Sequence, residues 1–178
     1  MSVRHQFALN IAVSLAVFNA LNKLTIPDVQ IKWPNDIMSG SRKICGILIE
    51  NLLRGNKVGE AIIGIGLNVN QTDFGGLDKA SSLKLVTGRN FDLDELLHTI
   101  LECLKLQLDT VEAKTVAQLL PAYEQLLFRK DKPSTFANAK GERLMGYIRG
   151  VSTSGKLVIE LEDRIIKEFD LKEVTLLY

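Results

Sequence analysis

The sequence predicts an α+β fold in which a mixed, largely antiparallel sheet is packed with helices and followed by a small β-rich unit. Three observations predict it. Residues 29–70 alternate short β-type runs with Pro-Asn-Asp, Ser-Gly-Ser and Arg-Gly-Asn turns, the signature of an antiparallel meander. Residues 7–25 and 92–128 repeat their apolar side chains at helical spacing. After the charged segment Arg129-Lys130-Asp131-Lys132-Pro133, the remaining residues form short strand-like runs between turns. A chain of 178 residues has room for one ordinary domain and a satellite, so we divide it into residues 1–128 and 129–178.

Taken in order, residues 7–25 are apolar nearly all round, which predicts a helix buried against the sheet. Asn10 and Ser14, four apart, are expected on its more exposed side. Pro34 fixes its own φ and has no N–H, so the strand carrying Ile31 should end or bend there and present Asn35 and Asp36 at a strand end. Residues 71–88 are the longest irregular stretch, with Gly75-Gly76 as a hinge candidate. Asp92, with Glu95 three residues on, predicts the N-cap of a helix. Its inner stripe reads Leu93, Leu96, Leu97, Ile100, Leu101, Leu104, Leu108 and Val111. A second helix is expected over 116–128, kinked or restarted at Pro121. Strands follow at 134–137, 143–151, 157–161, 165–169 and 174–177; a unit with so thin a core should dock on the main one.

The last run of the meander is the most informative. Ile63, Ile65, Leu67 and Val69 fall on one strand face, and Gly64, Gly66 and Asn68 on the other. Alternate glycines leave bare backbone, either for a flat group to lie on or for a helix to approach closely, and spacing leaves both open. Asn68 would stand at the end of that floor with an amide that donates and accepts. Lys43 opens an apolar run, so its stem can follow apolar surface with the ammonium at the lip of the sheet. One cation, the Asp36 carboxylate and the amides of Asn35 and Asn68 would then converge on a glycine floor, a set suited to an anionic, partly flat ligand. Lys43 has opposite parity to Gly46 and Leu48, so either a bulge intervenes or Lys43 precedes the strand proper. We expect the second, because Ser41 and Arg42 belong to the turn.

The bulk properties exclude several classes. The 46% apolar and 24% charged composition reads as globular, and a formal charge of +1 offers no electrostatic reason for nucleic-acid or membrane binding. No apolar run approaches the ~18 residues of a membrane span, and no signal-peptide pattern opens the chain, so a cytoplasmic location is expected. Cys45 and Cys103 lack CxxC spacing and read as buried reduced thiols. No Walker A pattern or metal-ligand cluster is visible, and His5 and His98 assemble no catalytic triad. Lys32 and Arg42 read as solvated charges, Trp33 as a core anchor, and Glu50 as a strand-end residue paired with a surface cation.

The blocks KWPND, RKxxGILIE and GIGLNVN, in this order and with Lys43 seven residues after Asp36, resemble the catalytic core of biotin protein ligases. The likeness continues through the helices and the C-terminal region. It implies a fold like that of biotin ligases and class II aminoacyl-tRNA synthetases, with a small SH3-like β-barrel at the end. The family's upstream phosphate loop (GRGxxG-like) and Ser-Thr-Asn stretch have no counterpart, so the chain looks like such a ligase without its N-terminal part. The implied activity is ATP-dependent. Biotin and ATP form biotinyl-5′-adenylate, and a lysine of the biotin carboxyl carrier domain of acetyl-CoA carboxylase then takes the biotin. Lys43 matches the family's essential lysine, and Asn35 and Asp36 its Asn-Asp pair. Asp36 would orient or deprotonate the incoming lysine or help hold Mg²⁺, roles the sequence does not separate. Lys43, Gly46 and Leu48 match biotin-binding positions, and Gly64, Gly66 and Asn68 the adenylate floor. A homodimer is one expected assembly; no helix-turn-helix precedes the core, so no nucleic-acid partner is expected. The alternatives are a non-catalytic binding or dimerisation fragment and the lipoate-attaching branch.

Overall fold

The computed structural model describes residues 3–54 and 57–178, with side chains described except at 3–6, 51–59 and 112. The Gly55-Asn56 portion of the expected Arg-Gly-Asn turn therefore lies outside the described residues. Helix α1 (Val3–Lys23) buries Ile11, Val13, Ala16, Val17, Ala20 and Leu21. It touches the sheet and two further helices, so it has little solvent-facing side. This corrects the expectation for Asn10 and Ser14: Ser14 is fully buried and Asn10 half-buried. The Ser14 hydroxyl has no hydrogen-bond partner among the described residues.

Strands β1 (Val29–Lys32), β2 (Asp36–Ser39), β3 (Arg42–Arg54) and β4 (Lys57–Leu67) pair antiparallel in the order β1-β2-β3-β4. Odd-numbered Cys45 and Ile47 of β3 are buried toward α1's side of the core, whereas Leu48 is 60% exposed. This period-2 contrast gives the sheet one covered and one open face.

The stretch expected to be irregular over 71–88 contains a short helix, α2 (Leu83–Thr87). The Ser82 hydroxyl caps it by accepting from Leu85 N–H, and Gly88 ends it at φ +76°, a left-handed conformation that favours glycine. Helix α3 (Leu93–Ala113) starts where expected, the Asp92 carboxylate accepting from the N–H groups of Asp94 and Glu95. Its buried stripe is narrower than the sequence suggests: Leu96, Ile100, Cys103 and Val111 are buried, while Leu93, Leu97 and Leu101 are exposed. Helix α4 (Val116–Glu124) runs through Pro121 without interruption and stops short of residue 128. Burial of Leu119, Leu120 and Tyr123 holds it together across the proline. It ends in tight turns, with Leu126 N–H on Tyr123 O and Leu127 N–H on Glu124 O.

A second antiparallel sheet contains β5 (Pro133–Asn138), β6 (Arg143–Val151), β7 (Leu157–Leu161), β8 (Ile166–Phe169) and β9 (Val174–Leu177), ordered β8-β7-β6-β5-β9. In the described ladders β8 and β9 stand at the two ends of this five-stranded order. Phe136, Ile148, Val151, Leu157, Ile159 and Val174 make its buried side. Among the described residues, no helix is long and apolar enough to cross a membrane.

Candidate functional site

The site is built where the β1–β2 turn folds over β3. The Trp33–Pro34 peptide bond is cis, and Asn35 clamps the turn at two points. The Asn35 Nδ2 group donates to Ile47 O at 2.7 Å, and Ile47 N–H donates to Asn35 O at 2.8 Å. The hairpin register sets Lys32 opposite Asp36, and the next ladder sets Asp36 opposite Gly46.

Lys43 lies within β3, not before it. In the β2–β3 ladder Ile37 pairs with Cys45 but Met38 with Lys43, so Ile44 is the extra residue of a bulge. The bulge reverses the parity and brings Lys43 to the same face as Gly46, which corrects the expectation that Lys43 precedes the strand. A Cβ on Gly46 would stand 3.2 Å from Lys43 Nζ and 3.3 Å from its Cε, so the lysine lies across the bare glycine. From there its ammonium meets Asp36 Oδ1 at 2.6 Å.

The other Asp36 oxygen, Oδ2, is taken by Lys32 Nζ at 3.2 Å. The Lys32 side chain is only 19% exposed, so it is not the solvated charge its residue type suggests. The register of the hairpin carries the signal: residues flanking a tight turn face each other, and these two bear opposite charges. Arg42, by contrast, is exposed, as is His98. Glu50 is also exposed but lies in the middle of β3 rather than at a strand end. Trp33 is half-buried, and its Nε1–H donates to Gly155 O at 3.0 Å, which ties the turn to the second sheet.

The floor has three glycines rather than two. Gly46 pairs directly with Gly66, and Leu48 with Gly64, so bare backbone runs across two strands. Both Gly64 and Gly66 are exposed on this face. An open cleft of about 560 Å³ is lined by Asn35, Asp36, Lys43, Gly46, Ile47, Leu48, Gly64, Ile65 and Gly66. Asn68 is not among them. Its N–H donates to Ile44 O and its Nδ2 to Ser81 O, both at 2.9 Å, so it braces the segment that follows. That segment runs beside Lys43, whose N–H donates to Lys79 O and whose carbonyl accepts from Ser81 N–H. The backbone of Lys43 is thereby fixed on both sides.

Cys45, two residues from Lys43, points into the core and is 1% exposed. Burial pushes its thiol up from 9.0 to about 12, with the Lys43 charge pulling the other way and Asp36 adding to the rise. A thiol so shifted is inert near neutral pH. Mg²⁺ finds no ready cluster: among the described residues no three His, Cys, Asp or Glu side chains gather to hold a metal ion. Asp36, the carboxylate lining the cleft, has both oxygens on ammoniums. The arrangement is thus a partly exposed cation pair around one carboxylate, above a flat floor of unsubstituted backbone. It can neutralise an anionic group and lay a planar one against the sheet.

Residues 3–68 match the model of the biotin/lipoate A/B protein ligase family. The bifunctional ligase/repressor BirA of Escherichia coli (strain K12) is 26% identical over 170 residues, covering 94% of this chain and 52% of that protein. The biotin–[acetyl-CoA-carboxylase] ligase of Paracoccus denitrificans is 28% identical over 161 residues, 85% of this chain and 65% of that one. Biotin protein ligase from Aquifex aeolicus in complex with biotin and ATP superposes with a TM-score of 0.79 at 28% identity, over 96% of this chain and 71% of that chain. The chain spans about half the length of the first curated relatives it matches.

Proposed function

We propose that the chain belongs to the biotin/lipoate A/B protein ligase family, whose model its residues 3–68 match, and that its cleft serves ATP-dependent biotin–protein ligation. The single observation that carries this reading is the Lys43 ammonium, held 2.6 Å from Asp36 above the Gly46, Gly64 and Gly66 backbone. In the first step a biotin carboxylate oxygen bonds to the α-phosphorus of ATP, and the bond to the β-phosphate oxygen breaks, releasing pyrophosphate. Lys43 neutralises the negative charge that gathers on the carboxylate and the α-phosphoryl oxygens. The glycine floor carries the planar part of the adenylate, and Leu48 supplies apolar wall beside it.

In the second step the amine of a carrier-domain lysine attacks the acyl carbon, and the bond to the AMP oxygen breaks. Asp36 positions Lys43 in the cleft and Lys32 beside it, since each of its oxygens holds one of them. The carrier would be the biotin carboxyl carrier domain of acetyl-CoA carboxylase. Magnesium would enter with the ATP phosphates, as it commonly does, and no residue cluster of this chain is assigned to it. Residues 1–128 would carry the chemistry and residues 129–178 a satellite unit. The open cleft, with Leu48 at 60% exposure, favours as a second reading a binding module without turnover.

Incubating the chain with labelled biotin, ATP and a carrier domain separates the two. Label transfer excludes the binding module; binding without transfer removes the ligase reading for this chain. Where transfer occurs, Lys43→Ala should lower adenylate formation by at least about 100-fold. It should leave the melting temperature close to that of the parent, because the Lys43 side chain is 44% exposed. An adenylation rate near that of the parent would take Lys43 out of the mechanism.

A further inference from the structure

One aromatic ring from the second sheet reaches the charged cluster. Tyr178, which follows β9, stands edge-on to Phe128 with ring centroids 5.2 Å apart and planes at 73°. Two ammoniums address that ring: Lys79 Nζ at 4.2 Å from its centroid and Lys32 Nζ at 5.5 Å. Lys32 is also the partner of Asp36 Oδ2, and Lys79 is pinned through its carbonyl to Lys43 N–H at 2.7 Å. The ring therefore connects to the Lys43–Asp36 pair along two separate routes.

The charge balance of this cluster is uneven. Lys32 and Lys43 hold the two oxygens of Asp36, and Lys79 brings a third ammonium to the Tyr178 ring that Lys32 also faces. Lysines gathered in this way repel one another, and a long flexible side chain would turn away to solvent unless something held it. The electron-rich face of an aromatic ring attracts a cation without neutralising it. The excess positive charge is thus kept and aimed, which is what a multiply charged anion requires.

We propose that Tyr178 is a positioning residue whose ring gathers Lys32 and Lys79 beside the Lys43–Asp36 pair, so that the three lysines receive the polyphosphate end of the nucleotide. This rests on the ligase reading for the identity of the nucleotide. The experiment below needs no turnover, so the two fail separately.

The whole chain is reductively methylated with ¹³C-formaldehyde, which keeps the lysines charged, and their methyl resonances are assigned with Lys32→Arg and Lys79→Arg variants. In the parent, the Lys79 methyls should be shifted upfield by the Tyr178 ring current, and those of Lys32 less so. Both displacements should vanish in Tyr178→Leu and persist in Tyr178→Phe. Inorganic pyrophosphate should perturb both sets of methyls, with an apparent Kd weakened about fivefold in Tyr178→Leu and little changed in Tyr178→Phe. If Tyr178→Leu does not fold, Lys79→Gln, a change at an exposed side chain, should weaken pyrophosphate binding to a similar degree. Parental pyrophosphate affinity in Tyr178→Leu or Lys79→Gln, or an equal loss in Tyr178→Phe and Tyr178→Leu, overturns the proposal. In a transfer assay Tyr178→Leu should raise KM for ATP and leave KM for biotin unchanged.

Discussion

Cys45 and Lys43 show how far two residues, near neighbours in sequence, are separated by the face on which they fall. The thiol looks inward and burial holds it protonated to about pH 12, whereas the unfolded chain releases that proton in the ordinary thiol range near 9. A raised folded value means the contribution is fully present below pH 9 and is lost as pH rises toward 12. Stability should therefore fall with pH in this window, by at most about 1.4 kcal/mol per pH unit from this group. Urea melts of the parent and Cys45→Ala between about pH 8 and pH 10.5 check it. The variant should show the shallower decline; parallel declines would remove Cys45 from the alkaline response. Tyr123, also buried and pushed upward by burial, adds its own loss at higher pH equally in both proteins. At this scale the candidate site was legible where chemistry and pattern agreed: Lys43, Asp36, Gly64 and Gly66 all line the cleft. Lys32 was not, because its role depends on a cross-turn partner rather than on its own surroundings in sequence. Tyr178 was not either, since nothing local connects a strand-end tyrosine with a lysine at position 79.

At the scale of elements, β3 and β4 act as a floor only because three positions lack side chains, and each glycine can be tested for the reason it is there. On Gly66 a Cβ would meet only Gly46 O at 3.6 Å, and on Gly64 only Leu48 O at 3.6 Å and Leu48 Cβ at 3.8 Å, ordinary contacts in both cases. The fold does not need these glycines. Gly66→Ala should hold or raise stability, by up to about 1 kcal/mol, because alanine loses less freedom on folding than glycine does. Nucleotide binding should nevertheless drop, since a methyl now stands on the floor. Gly46→Ala differs, because its Cβ crowds the flexible end of Lys43, which must swing off Asp36 while the strand stays in place. Calorimetric titration with ATP beside thermal melts distinguishes the cases. A Gly66→Ala protein that binds ATP as the parent does would mean that the glycines serve the sheet and not a ligand. The antiparallel order of the meander was readable from its turns, whereas the parity of Lys43 offered the bulge at Ile44 only as one of two alternatives and the other was preferred. A bulge is a choice of pairing between two strands, and one strand's sequence does not decide it. The exposed Leu93, Leu97 and Leu101 make the same point for α3, where periodicity identified a helix but not the width of the stripe its neighbours cover.

Across the whole molecule, the β1–β2 turn, α1 and α4 reach the β6–β7 hairpin at three places. Trp33 Nε1–H donates to Gly155 O, the Phe7 ring lies where a Cβ on Gly155 would stand, and the Glu124 carboxylate accepts from Val151 N–H at 2.8 Å. A sheet this small buries too little apolar surface to be stable by itself, so these contacts and the ring of Tyr178 should stabilise the second sheet as well as orienting it. Glu124 matters most among them. Its carboxylate occupies the space that a side chain at Gly150 would need, and Val151 is 4% exposed, leaving its amide no water to turn to. Removing the acceptor should cost about 1–3 kcal/mol, the desolvation penalty of an unpaired buried donor. We therefore expect Glu124→Ala to lower the melting temperature and to speed exchange of the Val151 amide proton selectively, with the amides of β3 less affected. Gly150→Ala should reproduce both effects by pushing the same carboxylate away. Hydrogen-exchange NMR on the two variants decides the matter. Parental protection at Val151 in Glu124→Ala would show that the second sheet is held by its apolar contacts alone, and that the route from α4 to the hairpin carries no share of the docking.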